Sequence, residues 1–392
     1  MHIVHLTSVH EVFNTRLFHR KCRAAIQAGY AVTLVGPHSM SCKVDGVQIV
    51  SVRKFGSKIL RMTLTAFEVF RKALRIRCDL YHVEDPELLP WALMLRILTG
   101  TPVVYDAKEY HRSAILWKEY IPKPVRGLIA GITERIEKTC ARGLDGVIVV
   151  NPHMKSLFDP YCREVAVVHN FPWQSSIPAV TGPRDPQMII FVGAISRERG
   201  YELLLHSLEF VRRQDADAYC LFVGSILRQG AEPSALEREK ELIAQGALRL
   251  VGTVEYEEMW KYLCAASVGW IPFLKTPNND LGLPNKLFEY MAAAVPVVAS
   301  NLRFLTPIIT QTQCGILVPA DEPSAHADAL LTLLRSPEIG RQMGERGKMA
   351  IQSRYNWESE ANTMLALYER LLIKPSKALE ISSKANDEPL FK

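Results

Sequence analysis

The sequence predicts an α/β protein of two domains, each built around a largely parallel sheet. Apolar strand-like segments alternate with segments of helical periodicity along nearly the whole chain, which is typical of βαβ units. The length of 392 residues suits two or three domains. A stretch without periodicity, rich in proline and small polar residues, divides this pattern into two halves at 171–186.

Short apolar runs bounded by glycine, proline or polar residues mark the strands. In the first half we predict strands at His2–Leu6, Tyr30–Val35, Val47–Val52, Asp79–Val83, Pro102–Tyr105 and Gly146–Val150. In the second half we predict them at Met188–Val192, Ala218–Val223, Leu248–Val251, Val268–Ile271, Val297–Ala299 and Gly315–Val318. Helices fill the intervals, the first of them at Phe18–Ala28.

This pattern predicts the domain boundaries. The first Rossmann-like domain spans 1–170, the linker 171–186 and the second Rossmann-like domain 187–354. A last helix covers 355–373, and the polar, aperiodic residues 374–392 form a disordered tail.

Composition indicates an ordinary globular protein, with 48% hydrophobic and 22% charged residues. No apolar run approaches the ~20 residues needed to span a bilayer. The first residues lack the charged segment and apolar core of a signal peptide, and none of the eight cysteines forms a C-x-x-C pair. We therefore expect a cytoplasmic protein with reduced thiols.

Charge is distributed unevenly along the chain. Residues 1–170 hold 24 Lys and Arg against 15 Asp and Glu, whereas residues 171–392 have a balance of −3. The most basic stretch, 54–77, also carries an apolar stripe formed by Leu60, Leu64, Phe67 and Leu74. This stretch is either a helix that lies on anionic lipid at the inner face of the membrane or a solvated outer helix of the domain. No nucleic-acid motif accompanies the charge, so nucleic acid is not an expected partner.

The segment Leu281–Ser300, LGLPNKLFEYMAAAVPVVAS, carries the strongest functional signal. Pro284 suits the first turn of a helix, and Lys286 and Glu289 project from the same face of that helix. Helix N-termini and lysines bind phosphate, and a carboxylate accepts hydrogen bonds from neighbouring hydroxyls such as those of ribose. The segment therefore suits a nucleoside diphosphate. The alternative is a surface ion pair on an amphipathic helix.

This run resembles the nucleotide-sugar site of the family-4 retaining glycosyltransferases, in which P-x-K-x-x-E-Y-M-A-A-x-x-P-V-V closes over the donor. The resemblance extends over nearly the whole chain. It implies the GT-B fold, in which two Rossmann-like domains face each other across a cleft and the last helix crosses back to the first domain. It also implies transfer of a sugar from a UDP- or GDP-sugar to a hydroxyl of a glycan or lipid-linked acceptor in polysaccharide biosynthesis, without a cofactor or a metal ion.

The resemblance also assigns donor residues. The loop after Met188–Val192 is similar to V-G-R-x-x-x-x-K-G, with Arg199 at the lysine position and Ala194 at the arginine position. Arg197 is the candidate to supply the missing charge, the alternative being a solvated loop residue. The predicted donor site comprises Gly193, Arg197, Arg199, Gly224, Gly252, Thr253, Leu283, Pro284, Asn285, Lys286 and Glu289. Among these, Arg199, Lys286 and Glu289 are the expected catalytic residues.

Polar residues that follow strands of the first domain are the acceptor-side candidates, because ligands bind at the carboxyl ends of parallel strands. They are His10, Arg16, Glu109 and His111. For Arg16 the alternative is a pair with a surface carboxylate, and for Glu109 it is loop solvation. The run Glu84–Pro90 resembles H-D-P-E-L-L-P, in which Asp85 is expected to cap the following helix.

Three positions depart from the family pattern. Glu84 and Lys108 each replace a histidine, and Leu281 replaces a glutamate that contacts the sugar, for which Asn279 or Asp280 is the candidate substitute. A nucleotide-sugar epimerase or hydrolase of the same fold, or a non-catalytic binding module, therefore remains an alternative function.

The chain lacks the G-x-S-x-G, H-E-x-x-H and G-K-[ST] motifs. The sequence Asp215-Ala216-Asp217 is expected to be a solvated turn.

Overall fold

The computed structural model describes residues 1–117, 121–178 and 182–373. These residues form two compact units. The first contains Met1–Arg112, Ile121–Val168 and the described residues from Ala361 onward, and the second contains His169–Glu360 and the described residues of Ser113–Tyr120. Part of the predicted linker, 179–181, and the whole predicted tail, 374–392, lie outside the described residues.

The first unit is built on an eight-stranded sheet in the order β3-β4-β2-β1-β5-β6-β7-β8. All neighbouring strands are parallel except β3 and β4. The strands are β1 (His2–Leu6), β2 (Ala31–Pro37), β3 (Cys42–Val44), β4 (Val47–Val52), β5 (Leu80–Val83), β6 (Val103–Ala107), β7 (Gly146–Val149) and β8 (Val165–Val167). Every residue of β5, β6 and β7 is buried, because helices cover parallel sheets on both faces.

Helices connect these strands. A π-helical segment, Thr15–Cys22, continues into α1 (Arg23–Gln27), and Arg61–Thr65 forms a second π-helical segment between α2 (Lys58–Leu60) and α3 (Ala66–Ala73). A 3₁₀ turn at Pro86–Leu88 leads into α4 (Leu89–Thr99). The remaining helices of this half are α5 (His111–Trp117), α6 (Lys123–Arg142) and α7 (Pro152–Phe158).

The second unit contains a six-stranded, fully parallel sheet in the order β11-β10-β9-β12-β13-β14. Its strands are β9 (Met188–Val192), β10 (Tyr219–Val223), β11 (Leu248–Gly252), β12 (Val268–Ile271), β13 (Val297–Ser300) and β14 (Gly315–Val318). The helices that follow β9 to β11 are α8 (Tyr201–Gln214), α9 (Pro233–Ala244) and α10 (Tyr256–Ala265). The later helices are α11 (Pro277–Asp280), α12 (Asn285–Ala292), α13 (Leu305–Thr312), α14 (Pro323–Arg335), α15 (Pro337–Ser353) and α16 (Trp357–Leu372).

The prediction of two parallel-sheet α/β domains is confirmed, and all twelve predicted strands are present with shifts of at most two residues at their ends. Two strands were missed. The hairpin between β3 and β4 turns at Asp45 (φ 49°) and Gly46 (φ 83°), which is the Asp-Gly turn typical of tight hairpins. The three-residue strand β8 is too short to show alternation.

Candidate functional site

The second sheet has a break at its carboxyl edge between β9 and β12, where the strand order reverses. These strands pair only at Val268 with Ile189 and at Gly269 with Ile190. Chain connections leave β9 and β12 in opposite directions across the sheet, and such a switch point is where α/β proteins bind ligands.

Tyr290 of helix α12 fills this break. Its hydroxyl accepts a hydrogen bond from the Val192 N–H (3.1 Å) and lies 3.3 Å from the carbonyl oxygens of both Ile190 and Trp270. A Cβ at position 269 would lie 2.6 Å from the Tyr290 ring, so only glycine fits there. The tyrosine thus substitutes for the missing strand pairing and fixes the start of α12 over the carboxyl ends of β9 and β12.

Removing this hydroxyl with Tyr290→Phe is expected to lower the free energy of unfolding by about 1–3 kcal/mol, because the buried Val192 N–H loses its acceptor. Thermal and urea unfolding measure the change. The matched control is Tyr262→Phe on helix α10, whose hydroxyl has no hydrogen bond among the described residues. Equal effects of the two substitutions would contradict the role given to Tyr290.

Lys286, one turn before Tyr290, is a buried cation. Only 7% of its surface is exposed, and its ammonium has no hydrogen-bond partner among the described residues. The Nζ atom lies 3.4 Å from the ring centroid of Phe191 and 4.8 Å from that of Phe273. Burial lowers the pKa of Lys286 well below its usual range, the charge of Arg199 lowers it further, and Glu289 opposes both effects.

The predicted residues Arg199 and Glu289 lie close to this ammonium. Glu289 is also 7% exposed, so the alternative of a surface ion pair with Lys286 is wrong. Arg199 is solvent-exposed, donates to the Ala194 carbonyl (3.1 Å) and places its guanidinium carbon 5.9 Å from the Phe273 ring centroid. Arg199 and Lys286 therefore meet around Phe273 at the carboxyl edge of the sheet, and Glu289 lies near enough to Lys286 to oppose the lowering of its pKa.

The loop that carries Arg199 is held against the segment after β12. Gly200 has a φ of +81°, and a Cβ there would lie 1.7 Å from the Pro272 carbonyl oxygen. The Glu198 carbonyl accepts from the Leu274 N–H (3.1 Å) and from the Asn279 side-chain amide (2.7 Å). Since the Asn279 amide also donates to the Leu274 carbonyl, it serves to position the loop.

The loops after β9 and β10 also approach each other through backbone. A Cβ on Gly224 would lie 2.2 Å from the Gly193 carbonyl oxygen, and the Gly193 N–H donates to the Val223 carbonyl (2.8 Å). The site of a Cβ on Gly193 itself is open space, and its φ is +95°. Glycine at 224 therefore lets the two loops pack together, and glycine at 193 leaves backbone open to close approach by a ligand.

The other predicted donor residues lie at the start of α12, just before it, and at the end of β11. Pro284 is the N-cap of α12 rather than its first residue, and Asn285 begins that helix with its side chain exposed. Leu283 packs on the core of the unit. Gly252 is the last residue of β11 and Thr253 follows it, and this strand is separated from β9 by β10.

Arg197 points to a different set of partners. Its guanidinium lies 3.7 Å from carboxylate oxygens of both Glu202 and Glu232. A role at the diphosphate remains a prediction for this residue.

Two aspartates named from the sequence make hydrogen bonds within the protein. The Asp280 carboxylate accepts a hydrogen bond from the Arg303 N–H (2.8 Å). The predicted turn at Asp215 is present, with its carboxylate accepting from the Asp217 N–H (3.1 Å).

The first unit holds a buried charged network where β1, β5 and β6 end. Lys21 contacts both oxygens of Glu84 (3.0 and 2.7 Å) and also Asp106, and all three side chains are fully buried. Arg16 forms a two-pronged pair with Asp106 (3.2 and 3.1 Å). The alternative that Arg16 pairs with a surface carboxylate is therefore wrong.

The two departures from the family pattern in this unit contact each other. Lys108 Nζ lies 2.9 Å from the Glu84 carboxylate. Burial acts to raise the pKa of Glu84, but Lys108 and Lys21 hold it well below its usual range. The replacement of two histidines by a carboxylate and a lysine thus creates an ion pair.

His5, His82 and Glu84 place ligand atoms within 4.8 Å of one another, as a metal site requires. Burial lowers the pKa of both imidazoles, so they remain neutral. The Glu84 carboxylate, however, already has two lysines as counterions, and His82 also bonds the Tyr368 hydroxyl of α16. The trio is better explained as part of this network than as a metal centre.

The expectation that Asp85 caps a helix is wrong. Its carboxylate makes no capping bond and instead accepts from the Thr7 hydroxyl (2.7 Å) and from the Ser8 (2.8 Å) and Val9 (3.2 Å) N–H groups. It thereby holds the loop after β1, and the ring nitrogen of His10 lies 3.3 Å from its other oxygen.

The remaining acceptor-side candidates lie after β6. Glu109 is exposed, whereas His111 lies 3.4 Å from the Tyr105 hydroxyl and 3.8 Å from the Glu137 carboxylate. Burial raises the pKa of Glu137 to about 7. His10, Arg16, Glu109 and His111 thus follow β1 and β6, two strands that flank β5 at one edge of the sheet.

Comparisons with known proteins match both halves. The family model "Glycosyl transferases group 1" matches residues 186–336, and the model "Glycosyltransferase Family 4" matches residues 15–171. The chain is 30% identical over 205 residues to a phosphatidyl-myo-inositol mannosyltransferase of Mycobacterium leprae, covering 52% of either chain. It is 22% identical over 352 residues to a glycogen synthase of Mycobacterium tuberculosis, covering 83% of this chain and 80% of that one.

A D-inositol 3-phosphate glycosyltransferase of Corynebacterium urealyticum is 30% identical over 50% of this chain and 46% of its own. The chain thus spans about half the length of the first curated relatives it matches. Among solved structures, sucrose-phosphate synthase of Thermosynechococcus elongatus superposes with a TM-score of 0.72 at 18% identity, covering 95% of this chain and 99% of that one. Anabaena HepE, solved with UDP-glucose, gives 0.68 at 12% identity over 94% of this chain and 100% of its own. These solved structures share the fold.

Proposed function

Because this chain belongs to the family-4 glycosyltransferases, which have the GT-B fold, we propose that it transfers a sugar from a nucleotide diphosphate sugar to an acceptor hydroxyl. The observation that supports this proposal best is the buried ammonium of Lys286 at the switch point of the second sheet. A buried cation without a hydrogen-bond partner is costly unless a ligand supplies the counter-charge.

In this proposal the diphosphate of a UDP- or GDP-sugar contacts Lys286, Arg199 and the first amides of α12. Glu289 accepts hydrogen bonds from the ribose hydroxyls. The charge that develops on the leaving diphosphate is stabilised by these groups, and one well-aimed donor is commonly worth ~3–4 kcal/mol. The sugar is transferred with retention of its anomeric configuration, as the family resemblance implies.

The acceptor is a glycan or a lipid-linked glycan intermediate of polysaccharide biosynthesis. Its hydroxyl would be recognised by residues of the first unit, among them His10, Arg16, Glu109 and His111. The relatives named above include enzymes whose names specify an inositol lipid, an inositol phosphate and glycogen, all of which offer hydroxyl acceptors.

The proposal is tested by ligand-induced stabilisation followed by turnover. UDP and GDP are compared with UMP, GMP and the free nucleosides, and a ligand at ~100 times its dissociation constant adds about 2.7 kcal/mol to the free energy of unfolding. We expect one diphosphate to stabilise the protein far more than its monophosphate. Equal stabilisation by the monophosphate would contradict a diphosphate site.

Turnover distinguishes transfer from the alternatives. A transferase releases the nucleotide and forms a glycoside when an acceptor is present. An epimerase converts the donor alone, a hydrolase releases free sugar, and a non-catalytic binding module is stabilised by the nucleotide without turnover. Leu281 favours the non-catalytic binding module among these alternatives, since its side chain cannot hydrogen-bond the sugar.

Transfer is also expected to continue when divalent metal ions are removed, because Lys286 and Arg199 occupy the role that a metal ion plays in other transferases. Initial rates in excess EDTA should equal those in magnesium or manganese. Loss of activity in EDTA with recovery on adding back one metal would contradict this assignment.

A further inference from the structure

Four connections of the first unit, the last of them from β7 to β8 through α7, cross its sheet in the same direction. The chain passes from β4 to β5, from β5 to β6 and from β6 to β7, each time toward the β8 edge. Connections between parallel strands are right-handed. Helices that connect strands in the same direction along a sheet therefore pack on the same face of that sheet. The helical segment 58–73 therefore lies beside α4, and α4 beside α6. The connection from β1 to β2 runs the other way and places α1 on the opposite face.

The outward side of these three helical segments, called here the three-helix face, is unusually apolar. It carries fourteen of the 25 exposed large apolar side chains found among the described residues. Its members are Ile59, Leu60, Met62, Leu64, Phe67 and Leu74 on and after the segment 58–73, Met94, Ile97 and Leu98 on α4, and Val125, Leu128, Ile129, Ile132 and Ile136 on α6. Isoleucines 59 and 97 are 74% and 73% exposed. Exposed apolar groups concentrated in this way mark an interaction surface.

Basic residues accompany these apolar groups. Arg71, Arg75, Lys123 and Arg135 are exposed and have no carboxylate partner within the described ranges. The neighbouring acids are already paired, as in Lys72–Glu68 (3.0 Å) and Lys138–Glu134 (2.8 Å). The uncompensated charge of the face is therefore positive.

We propose that the three-helix face binds the surface of a membrane that contains anionic lipid. Apolar side chains next to unpaired arginines match the acyl boundary and the headgroups of such a surface, which is the pattern of helices that lie in the interface plane. Within the described residues no helix is long and apolar enough to cross the bilayer. The stretch 54–77 predicted from the sequence supplies six of the fourteen apolar residues of this surface, and α4 and α6 supply the other eight.

Vesicle flotation of the full chain tests this proposal. We expect the protein to float with phosphatidylcholine vesicles that contain roughly a third phosphatidylglycerol, and not with phosphatidylcholine alone. The variant Ile97→Ser/Leu128→Ser/Ile132→Ser should lower the partition coefficient at least ~10-fold. The variant Arg71→Gln/Arg75→Gln/Arg135→Gln should lower it by roughly fivefold per arginine.

The second unit supplies control variants at other exposed positions. Ile243→Ser/Ile339→Ser/Met349→Ser and Lys240→Gln/Lys261→Gln should leave partitioning unchanged. Circular dichroism and thermal midpoints verify that all variants are folded. UDP and GDP binding in solution should be unaffected by the variants of the three-helix face, so failure of this proposal is distinguishable from failure of the proposed transfer reaction.

Three results would overturn the proposal. The first is wild-type protein that stays unbound to anionic vesicles. The second is equal flotation with neutral vesicles. The third is a dimer, seen by light scattering without lipid, that the serine variant of the three-helix face converts to monomer, because the face would then be an interface between copies of the chain.

Discussion

Replacing Lys286 with methionine is expected to lower kcat/KM for sugar transfer by about 10²–10³-fold, because one cationic donor to the leaving diphosphate is lost. The same substitution should raise the free energy of unfolding of the ligand-free protein by about 1 kcal/mol. Burying an ammonium without a hydrogen-bond partner costs ~1–3 kcal/mol or more, and the loss of contacts with Phe191 and Phe273 offsets part of the gain. Initial rates and thermal unfolding measure the two effects.

A loss of activity together with a gain in the free energy of unfolding distinguishes a functional lysine from a structural one. Lys240→Met, on an exposed position of α9, is the control and should change neither quantity. If Lys286→Met lowered stability and activity together, the ammonium would have an internal structural role. If it left transfer rates near normal, the proposed diphosphate site would be wrong.

Replacing Lys21 with methionine is expected to lower the free energy of unfolding by about 3 kcal/mol. Removing one partner of a buried ion pair typically costs about 3–5 kcal/mol, because the remaining charge is left without compensation. We place Lys21 at the low end because Lys108 still contacts Glu84 and Arg16 still contacts Asp106. Urea unfolding measures this loss when it is monitored by a spectroscopic signal that comes from the first unit.

The exposed pair Arg23–Asp45 provides the comparison for Lys21. Its side chains are 41% and 49% exposed, so Arg23→Met should cost no more than about 1 kcal/mol. Similar losses for the two variants would mean that water reaches the network around Glu84, in contrast to its observed burial.

The sequence was sufficient to predict the alternation of strands and helices, since buried parallel strands are short continuous apolar runs. It was also sufficient to select Lys286, Glu289 and Arg199, because their spacing relative to Pro284 and Gly193 resembles a family motif. The structure places Lys286 and Arg199 beside Phe273, with Glu289 near Lys286. Their assigned roles at the donor remain predictions.

Contacts between residues far apart in the chain could not be predicted in this way. Tyr290 lies within the recognised motif, but its hydroxyl bonds β9, about a hundred residues earlier in the chain, and nothing local indicates this. Asp85 has the position of a helix cap, yet three donors from the loop after β1 compete successfully for its carboxylate. Glu84 and Lys108 appeared as two unrelated departures from the family pattern until the fold placed them in contact.

Calorimetric titration with UDP and GDP tests the diphosphate site most directly. Each titration is repeated in two buffers that differ in ionisation enthalpy, so that the number of protons taken up on binding is measured. The pKa of Lys286 is depressed in the free protein, and a bound diphosphate would raise it. At a pH between the two values, binding should therefore take up protons, and affinity should increase as the pH falls. The account predicts that the wild type takes up protons when it binds the diphosphate. Lys286→Met should bind at least ~30-fold more weakly, and it should lack the share of the proton uptake that is due to Lys286. Equal affinity and equal proton uptake in the two proteins would contradict it.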